Sequence, residues 1–318
     1  MNNLVCNLFV IFAAGLISIH SQPNQDQEEY LEDLLGVQKK IQSLLPMLKQ
    51  SVVAIESVDG AGSGVIVTED GLVLTAAHVI GERGKEMTVI LSDGQRVNAI
   101  SKGGSEISDA GMIQLEGNLK WPFAEMADSS KALANEWCIA LGHPNGYDPK
   151  RGMVLRTGKI LSTKDETIRT NCRLLGGDSG GPLFNLEGKI VGIHSRISRS
   201  PDDNFHITIE SYISNWEYFL SEEILTFNKL QGGGFLGVAC EKSENGLRVL
   251  SVVPQSAAEM AGITPMDELL RLDSIPLDTR EKLTILVSSK QPDDTISLEI
   301  LREGKEKKIK VSLGKRSQ

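Results

Sequence analysis

GGDSGGPLF, residues 176–184, places one serine among four glycines, with an aspartate before it and a proline soon after. A glycine-rich loop can simply be slack. The alternative is chemical: glycines let the backbone aim two N–H groups at one point while Ser179 stays accessible. A serine hydroxyl is a poor nucleophile by itself. It needs a general base beside it, and the base needs a third group to fix its tautomer. The reading of this stretch therefore turns on a histidine and a carboxylate elsewhere in the chain.

The sequence holds five histidines. His20 lies in an apolar leader, His143 in the turn GHPNG, and His194 and His206 in late strands. His78 lies in LTAAHVI, at a strand end flanked by small residues, where a side chain can project into a cleft. It is the best candidate base. Between it and Ser179, Asp93 in SDGQ is explained by its turn. Asp109 in ISDAGMIQL stands immediately before an apolar strand, the setting in which a carboxylate can hold an imidazole N–H. The Gly177–Asp178–Ser179 segment would then form an oxyanion hole through the Gly177 and Ser179 amides, with the Asp178 side chain turned away. Loss of one such donor typically costs about 2.7–4 kcal/mol of barrier.

The chain has 318 residues, enough for two domains, and 40% are apolar, which predicts a globular protein. A net charge of −9 argues against a nucleic-acid partner. The basic run REGKEKKIKVSLGKR (302–316) alternates with Ile309, Val311 and Leu313 and reads as a strand with a charged outer face. LFVIFAAGLISI (8–19) is short for a membrane span and suits a signal peptide over residues 1–21. Membrane contact is expected only if that segment stays uncleaved. The cysteines show no C-x-x-C pair and no ligand spacing with histidine, so neither a metal nor another cofactor is expected. Cys138 and Cys172 would pair only if adjacent, and buried free thiols are the simpler expectation.

Residues 22–50 read as an acidic segment followed by an amphipathic helix, with apolar positions at Leu31, Leu34, Leu35, Ile41, Leu44, Leu45 and Leu48. Many short strands at regular spacing over 51–226 predict a mainly β sandwich or barrel. NWEYFLSEEILTFNKL (215–230) reads as its closing helix. Residues 227–232 form a linker into QGGG, and 233–318 predict a smaller mixed α/β domain.

TAAH, a following Asp, and GDSGGPLF resemble trypsin-like serine proteases. GSGVIVTEDGLVLTAAHVI, EWCIALGHPNG, LRTGKILS, GDSGGPLFNLEGKIVGIHS and the closing FLGV…VLSVVPQSAAEMAGI…LLRLDSIPL…ILREGK are similar to the exported HtrA/DegP proteases, across residues 50–316. That resemblance implies a chymotrypsin/trypsin-like double β-barrel followed by a PDZ domain. It implies His78 as base, Asp109 as orienting acid and Ser179 as nucleophile, acting on misfolded or exposed polypeptides. It also implies a homotrimer. Two departures matter. The family usually has Asn where Asp178 stands, and it usually carries an Asp-x-Ala-Val/Leu run at the acid, whereas here Gly111 and Met112 follow Ala110. In digestive trypsin-like enzymes the equivalent Asp captures a new N-terminus after zymogen cleavage. No such activation motif precedes Ser51, so Asp178 needs another partner.

The resemblance places Arg173, His194 and Ser195 around the specificity pocket. A histidine in GIH resembles glutamyl endopeptidases and implies acidic preference, whereas the family's usual preference is for small aliphatic residues. Both remain open on the sequence. GFLGV (234–238) is similar to the carboxylate-binding loop of PDZ domains, which implies that Leu236, Gly237 and Val238 amides hold a peptide C-terminus. Phe235, Leu283 and Leu286 would line its apolar pocket.

Overall fold

A computed structural model of the chain describes residues 25–57, 60–164, 166–197, 200 and 203–316. The expected leader over 1–21 lies outside the described residues. Helix α1 (Gln25–Ser51) carries the expected stripe, and its Ile41 and Leu48 are buried. Leu44, Met47 and Leu48 pack around the turn at Gly188.

Six strands follow: β1 (Val52–Ser57), β2 (Gly60–Ile66), β3 (Leu72–Ala76), β4 (Glu86–Ile90), β5 (Arg96–Ser105) and β6 (Ala110–Leu115). Their order is β5-β4-β1-β2-β3-β6, and pairing of β5 with β6 closes the ring. Two Asp-Gly turns form, one of them at SDGQ. Val67 N–H donates to Leu72 O across Glu69–Gly71 at 2.8 Å, and Leu91 N–H to Gln95 O across Asp93–Gly94 at 2.9 Å. Val53, Ile55, Ile66, Val73, Val89 and Ile113 fill the interior. A single helical turn, α2 (Ala77–Ile80), leaves the end of β3 and carries His78.

The second barrel is closed by β7 (Trp137–Gly142), β8 (Val154–Lys164), β9 (Thr167–Thr170), β10 (Pro182–Asn185), β11 (Ile190–Ile197) and β12 (Asn204–Thr208), in the order β10-β11-β12-β9-β8-β7. The double-barrel expectation holds. The expected helix over 215–230 does not. That stretch breaks into α4 (Trp216–Leu220), a short β13 (Ile224–Leu225) and α5 (Phe227–Gly232), after α3 (Ile209–Ser214). Glu222 adopts φ +64°, which ends the helix, and its carboxylate reaches Lys102 at 2.7 Å. Ile224 and Leu225 then pair in parallel with Gly104 and Ser105 of β5.

The C-terminal region comprises β14 (Gly234–Phe235), β15 (Val238–Lys242), β16 (Leu247–Val252), α6 (Ala257–Met260), β17 (Glu268–Leu272), β18 (Ile275–Pro276), α7 (Arg280–Ser288), β19 (Thr295–Arg302), β20 (Lys305–Ser312) and β21 (Gly314–Lys315). The basic run forms β20 as predicted. Val311 is fully buried, and Lys308 points outward to Glu299 at 3.3 Å across the hairpin. Gly233 and Gly234 are not slack: Gly234 N–H donates to Lys290 O at 2.8 Å, against the end of α7.

Helix α7 also reaches the first barrel. Glu281, in its first turn, is only 3% exposed, and its Oε2 accepts from Asn215 Nδ2 at 3.0 Å. Burial pushes this carboxyl up to about 7, with the nearby Glu166 charge adding to the rise. The Ser105 and Ser108 hydroxyls oppose it. A raised carboxyl binds a proton more tightly in the folded state than unfolded. Its stability contribution is therefore complete below the ordinary Glu range and is lost as pH rises through 7. The Glu281→Gln variant is expected to unfold with little of this dependence and to be more stable than the parent at pH 8 by about 2–3 kcal/mol. Thermal melts of both proteins from pH 5 to 8 check this.

Candidate active site

The site lies where the two barrels meet. Asp109 takes φ +63° at the entry to β6 and accepts three contacts from His78. Its Oδ1 lies 2.8 Å and its Oδ2 3.0 Å from His78 Nδ1, and Oδ1 takes the His78 backbone N–H at 3.1 Å. The main chains are tied as well, with Ala77 N–H donating to Asp109 O at 2.8 Å. This tie explains Gly111. A Cβ there would come within 2.9 Å of Ala76 O, so only glycine lets β6 approach the β3–α2 corner. The Met112 side chain that follows is fully buried.

Electrostatics separates His78 from the other described histidines. The Asp109 hydrogen bond outweighs partial burial and raises the His78 imidazole above its ordinary value. Burial raises Asp109, but its bonds from His78 and Ser195 outweigh this and leave the carboxyl below the usual range. Burial, helped by Arg151, pulls His143 down to about 4, and burial pulls His206 down to about 3. His194 is pushed well below its ordinary value by burial, then by His206 and Arg156. These three are neutral at pH 7. His78 alone among the described histidines pairs a carboxylate with a half-exposed ring, its side chain being 52% accessible.

Ser179 faces this pair through Ser195. A bulge between β11 and β12 leaves Ser195 out of the strand pairing, so both its ends are free to turn inward. Its hydroxyl donates to Asp109 Oδ2 at 2.6 Å, and its carbonyl accepts from Ser179 Oγ at 3.4 Å. The structure thus joins His78 to Asp109 directly. Among the described residues Ser179 Oγ makes no hydrogen bond to His78; it donates to Ser195 O instead. Loose nucleophile geometry is common before substrate binds.

Gly177 (φ +92°) and Gly180 (φ +87°) shape the nucleophile loop. A Cβ at Gly180 would fall 2.1 Å from both Ser63 O and Thr75 Oγ1. Among the described residues the Gly177 and Ser179 N–H groups have no internal acceptor, as an oxyanion hole requires. The Asp178 N–H is already used: it donates to Leu175 O at 3.0 Å, so it does not belong to the hole. Ser63 on β2 closes the seam between the barrels, a role that nothing in the residues around it signals. Its N–H donates to Ser179 O and its hydroxyl to Gly177 O, both at 2.8 Å.

Asp178 has an internal partner. Arg156 on β8 grips it with both guanidinium nitrogens, at 2.9 and 3.2 Å, and Leu175 N–H adds a bond at 2.8 Å. Asp178 is 1% exposed, and burial outweighs these bonds to raise its carboxyl above the ordinary value.

The residues expected around the specificity pocket separate. Arg173 is exposed, His194 is fully buried with its Nδ1 2.9 Å from His206 Nδ1, and Ser195 serves Asp109. In the C-terminal region Val238 and Leu283 line a cavity of about 450 Å³, which Ser108, Glu166 and Arg196 also border. Phe235, Leu236, Gly237 and Leu286 are not among its walls. Leu236 is a core residue, and its carbonyl and that of Gly237 accept from Ala258 and Val253.

Comparison with known proteins agrees with the fold. Residues 62–193 match the trypsin-like peptidase domain and residues 234–313 the PDZ domain. A probable periplasmic serine endoprotease, DegP-like, of Ectopseudomonas mendocina is 31% identical over 273 residues, covering 80% of this chain and 56% of that protein. A Marinomonas protein of the same description is 28% identical over 308 residues, covering 92% of this chain and 63% of that one. The chain thus spans a little over half the length of these relatives. Among solved structures, the serine endoprotease from Yersinia pestis aligns with a TM-score of 0.56 at 21% identity, covering 88% of this chain and 98% of that one. The HtrA-type protease AlgW with tripeptide aligns at 0.58 and 21%, covering 86% and 97%. The fold and site define a trypsin-like serine protease domain joined to a PDZ domain. Within that class, the chain is similar to the DegP-like periplasmic endoproteases and, in fold, to the HtrA-type proteases.

Truncating Arg156 leaves a buried carboxylate without its counter-charge. Arg156→Met is expected to destabilise by about 3–5 kcal/mol, and Arg156→Met with Asp178→Asn to recover most of the loss. Chemical denaturation of the two variants beside the parent measures both.

Proposed function

We propose that the chain is an exported, periplasmic or secreted serine endopeptidase that hydrolyses peptide bonds of misfolded or exposed polypeptides. The observation that carries this reading is the His78–Asp109–Ser195 cluster, which holds the one raised imidazole among the described residues and meets the Ser179 hydroxyl through the Ser195 carbonyl. In the reaction Ser179 Oγ attacks the scissile carbonyl. His78 takes its proton through Nε2 and returns it to the leaving amine, while Asp109 holds Nδ1–H and stabilises the imidazolium. The Gly177 and Ser179 amides bind the oxyanion. Water then repeats the sequence to release the acyl group. The PDZ region would capture peptide C-termini at the Leu236–Val238 loop and beside Leu283 and Leu286, and the protein would act as a homo-oligomer, a trimer by its family resemblance. A fully buried, neutral His194 and an exposed Arg173 supply no fixed cation to a pocket, which favours small aliphatic residues at the cleavage site.

A second reading, a PDZ-dependent binding or chaperone protein with a scaffold protease domain, draws on the Ser179 hydroxyl resting on Ser195 O. A fluorophosphonate probe separates the two. The wild-type chain is expected to label, with and without an added peptide bearing a free C-terminus, and Ser179→Ala is not. An unlabelled wild type under both conditions favours the scaffold.

Asp109→Asn is expected to lower kcat about 10⁴-fold. Turnover needs neutral His78, so activity should fall as pH drops through its raised value, and the limb should move to lower pH in Asp109→Asn. Chromogenic peptides ending in Ala, Val, Glu and Arg read the preference; faster cleavage after Glu than after Ala or Val would overturn the aliphatic assignment.

A further inference from the structure

Cys138 and Cys172 are 34 residues apart in sequence, yet their sulfurs lie 3.7 Å apart inside the second barrel. Cys138 sits on β7, opposite Gly158 of β8. Cys172 follows β9 and reaches over β8 to meet it. Gly158 is what permits this, since a Cβ there would lie 2.8 Å from Cys172 Sγ. Both residues are buried, at 0% and 1% exposure. Cys138 Sγ also donates to Gly158 O at 3.5 Å, and the Cys172 N–H is fixed by Thr170 Oγ1 at 3.2 Å. Sulfurs at van der Waals contact need to close to about 2.05 Å to bond, which takes about 0.8 Å from each side. The third described cysteine, Cys240, lies in the C-terminal core, away from this pair.

We propose that Cys138 and Cys172 are a disulfide site, oxidised by exchange with the disulfide of an oxidised dithiol protein or small-molecule disulfide in the compartment to which the chain is exported. The thiolate of one cysteine attacks a sulfur of the oxidant, forming a mixed disulfide and releasing the oxidant's first thiolate. The second cysteine attacks the bonded protein sulfur and expels the oxidant's second thiolate. The two protein thiols lose two electrons and two protons, and the oxidant's disulfide gains both to become two thiols. The buried position places this exchange before the barrel closes, and afterwards shields the bond from reductants.

The bond would brace the approach to the nucleophile. Cys172 begins the Cys172–Ser179 loop. Thr170, which holds its amide, also contacts His206 Nε2 at 2.7 Å; His206 meets His194, whose carbonyl takes Gly180 N–H at 2.7 Å. The cross-link thus pins one end of a chain of bonds whose other end is the residue after Ser179.

The oxidant in the cell depends on the proposed export, but the test supplies its own and reads no turnover, so it stands or falls apart from the protease reading. The full chain is reduced, denatured and refolded in a mixture of reduced and oxidised glutathione, then quenched with acid and digested without reduction. The expected result is a peptide joining Cys138 to Cys172 that vanishes on reduction. The oxidised chain should also melt about 5–10 °C above the reduced one, while the Cys138→Ser, Cys172→Ser double variant melts at one temperature in both. If both thiols remain free to alkylate after oxidative refolding, or if either joins Cys240 instead, the proposal is overturned. A linked chain that melts no higher overturns the bracing role.

Discussion

The active site exists only while two separately closed barrels are held in register, and Ser63 holds them. Its backbone and side chain bind both ends of the Gly177–Ser179 segment, its carbonyl takes Thr75 Oγ1 at 2.8 Å, and its hydroxyl accepts His143 N–H at 2.9 Å. Thr75 in turn belongs to the strand that delivers His78. The base and its acid come from one barrel and the nucleophile from the other. Neither barrel's core fixes their relation, because each core is complete in itself. The hydrogen bonds at this seam do, supported by Tyr212, whose hydroxyl crosses to Thr75 O at 2.6 Å.

Arg156 and Asp178 solve a second problem. The loop that carries two outward-pointing amides has to turn its intervening residue inward, and an inward aspartate is stable only if paired. In the digestive enzymes that carry this aspartate, a chain terminus freed by cleavage provides the charge. Here a strand residue provides it, so the loop's shape is built into the folded barrel. Ser195 shows a comparable economy: one bulged residue orients the acid with its side chain and rests the nucleophile with its carbonyl.

Much of this was legible in the sequence, and the pattern of success is physical. Motifs whose chemistry demands specific residues at specific chain positions, such as GDSGG and TAAH, and turns fixed by Asp-Gly, could be read locally. So could the charged outer face of the last long strand, because its period is two. What could not be read depends on partners distant in sequence. Nothing in LRTGKILS says that Arg156 points at Asp178, and nothing in GIHS says that a bulge frees Ser195. The reading of residues 215–230 as one helix failed because its apolar spacing suits a helix, while ion pairing of Glu222 with Lys102 and strand pairing with β5 act from outside the segment. His194 was a plausible pocket residue by position. Only the structure shows His206 meeting it edge to face, with ring centroids 4.9 Å apart.

The burial of Glu281 at the junction of α7 and the first barrel makes that junction sensitive to more than contact area. Ser108, which lies near this carboxyl, is the neighbour of Asp109. Near neutral pH, wetting the surface would release a proton from Glu281, and drying it again would require one to be taken up. Any force that pulls α7 away therefore exchanges a hydrogen ion with the medium as it does so. The seating of α7 against the first barrel is thereby tied to the protonation of one buried carboxyl.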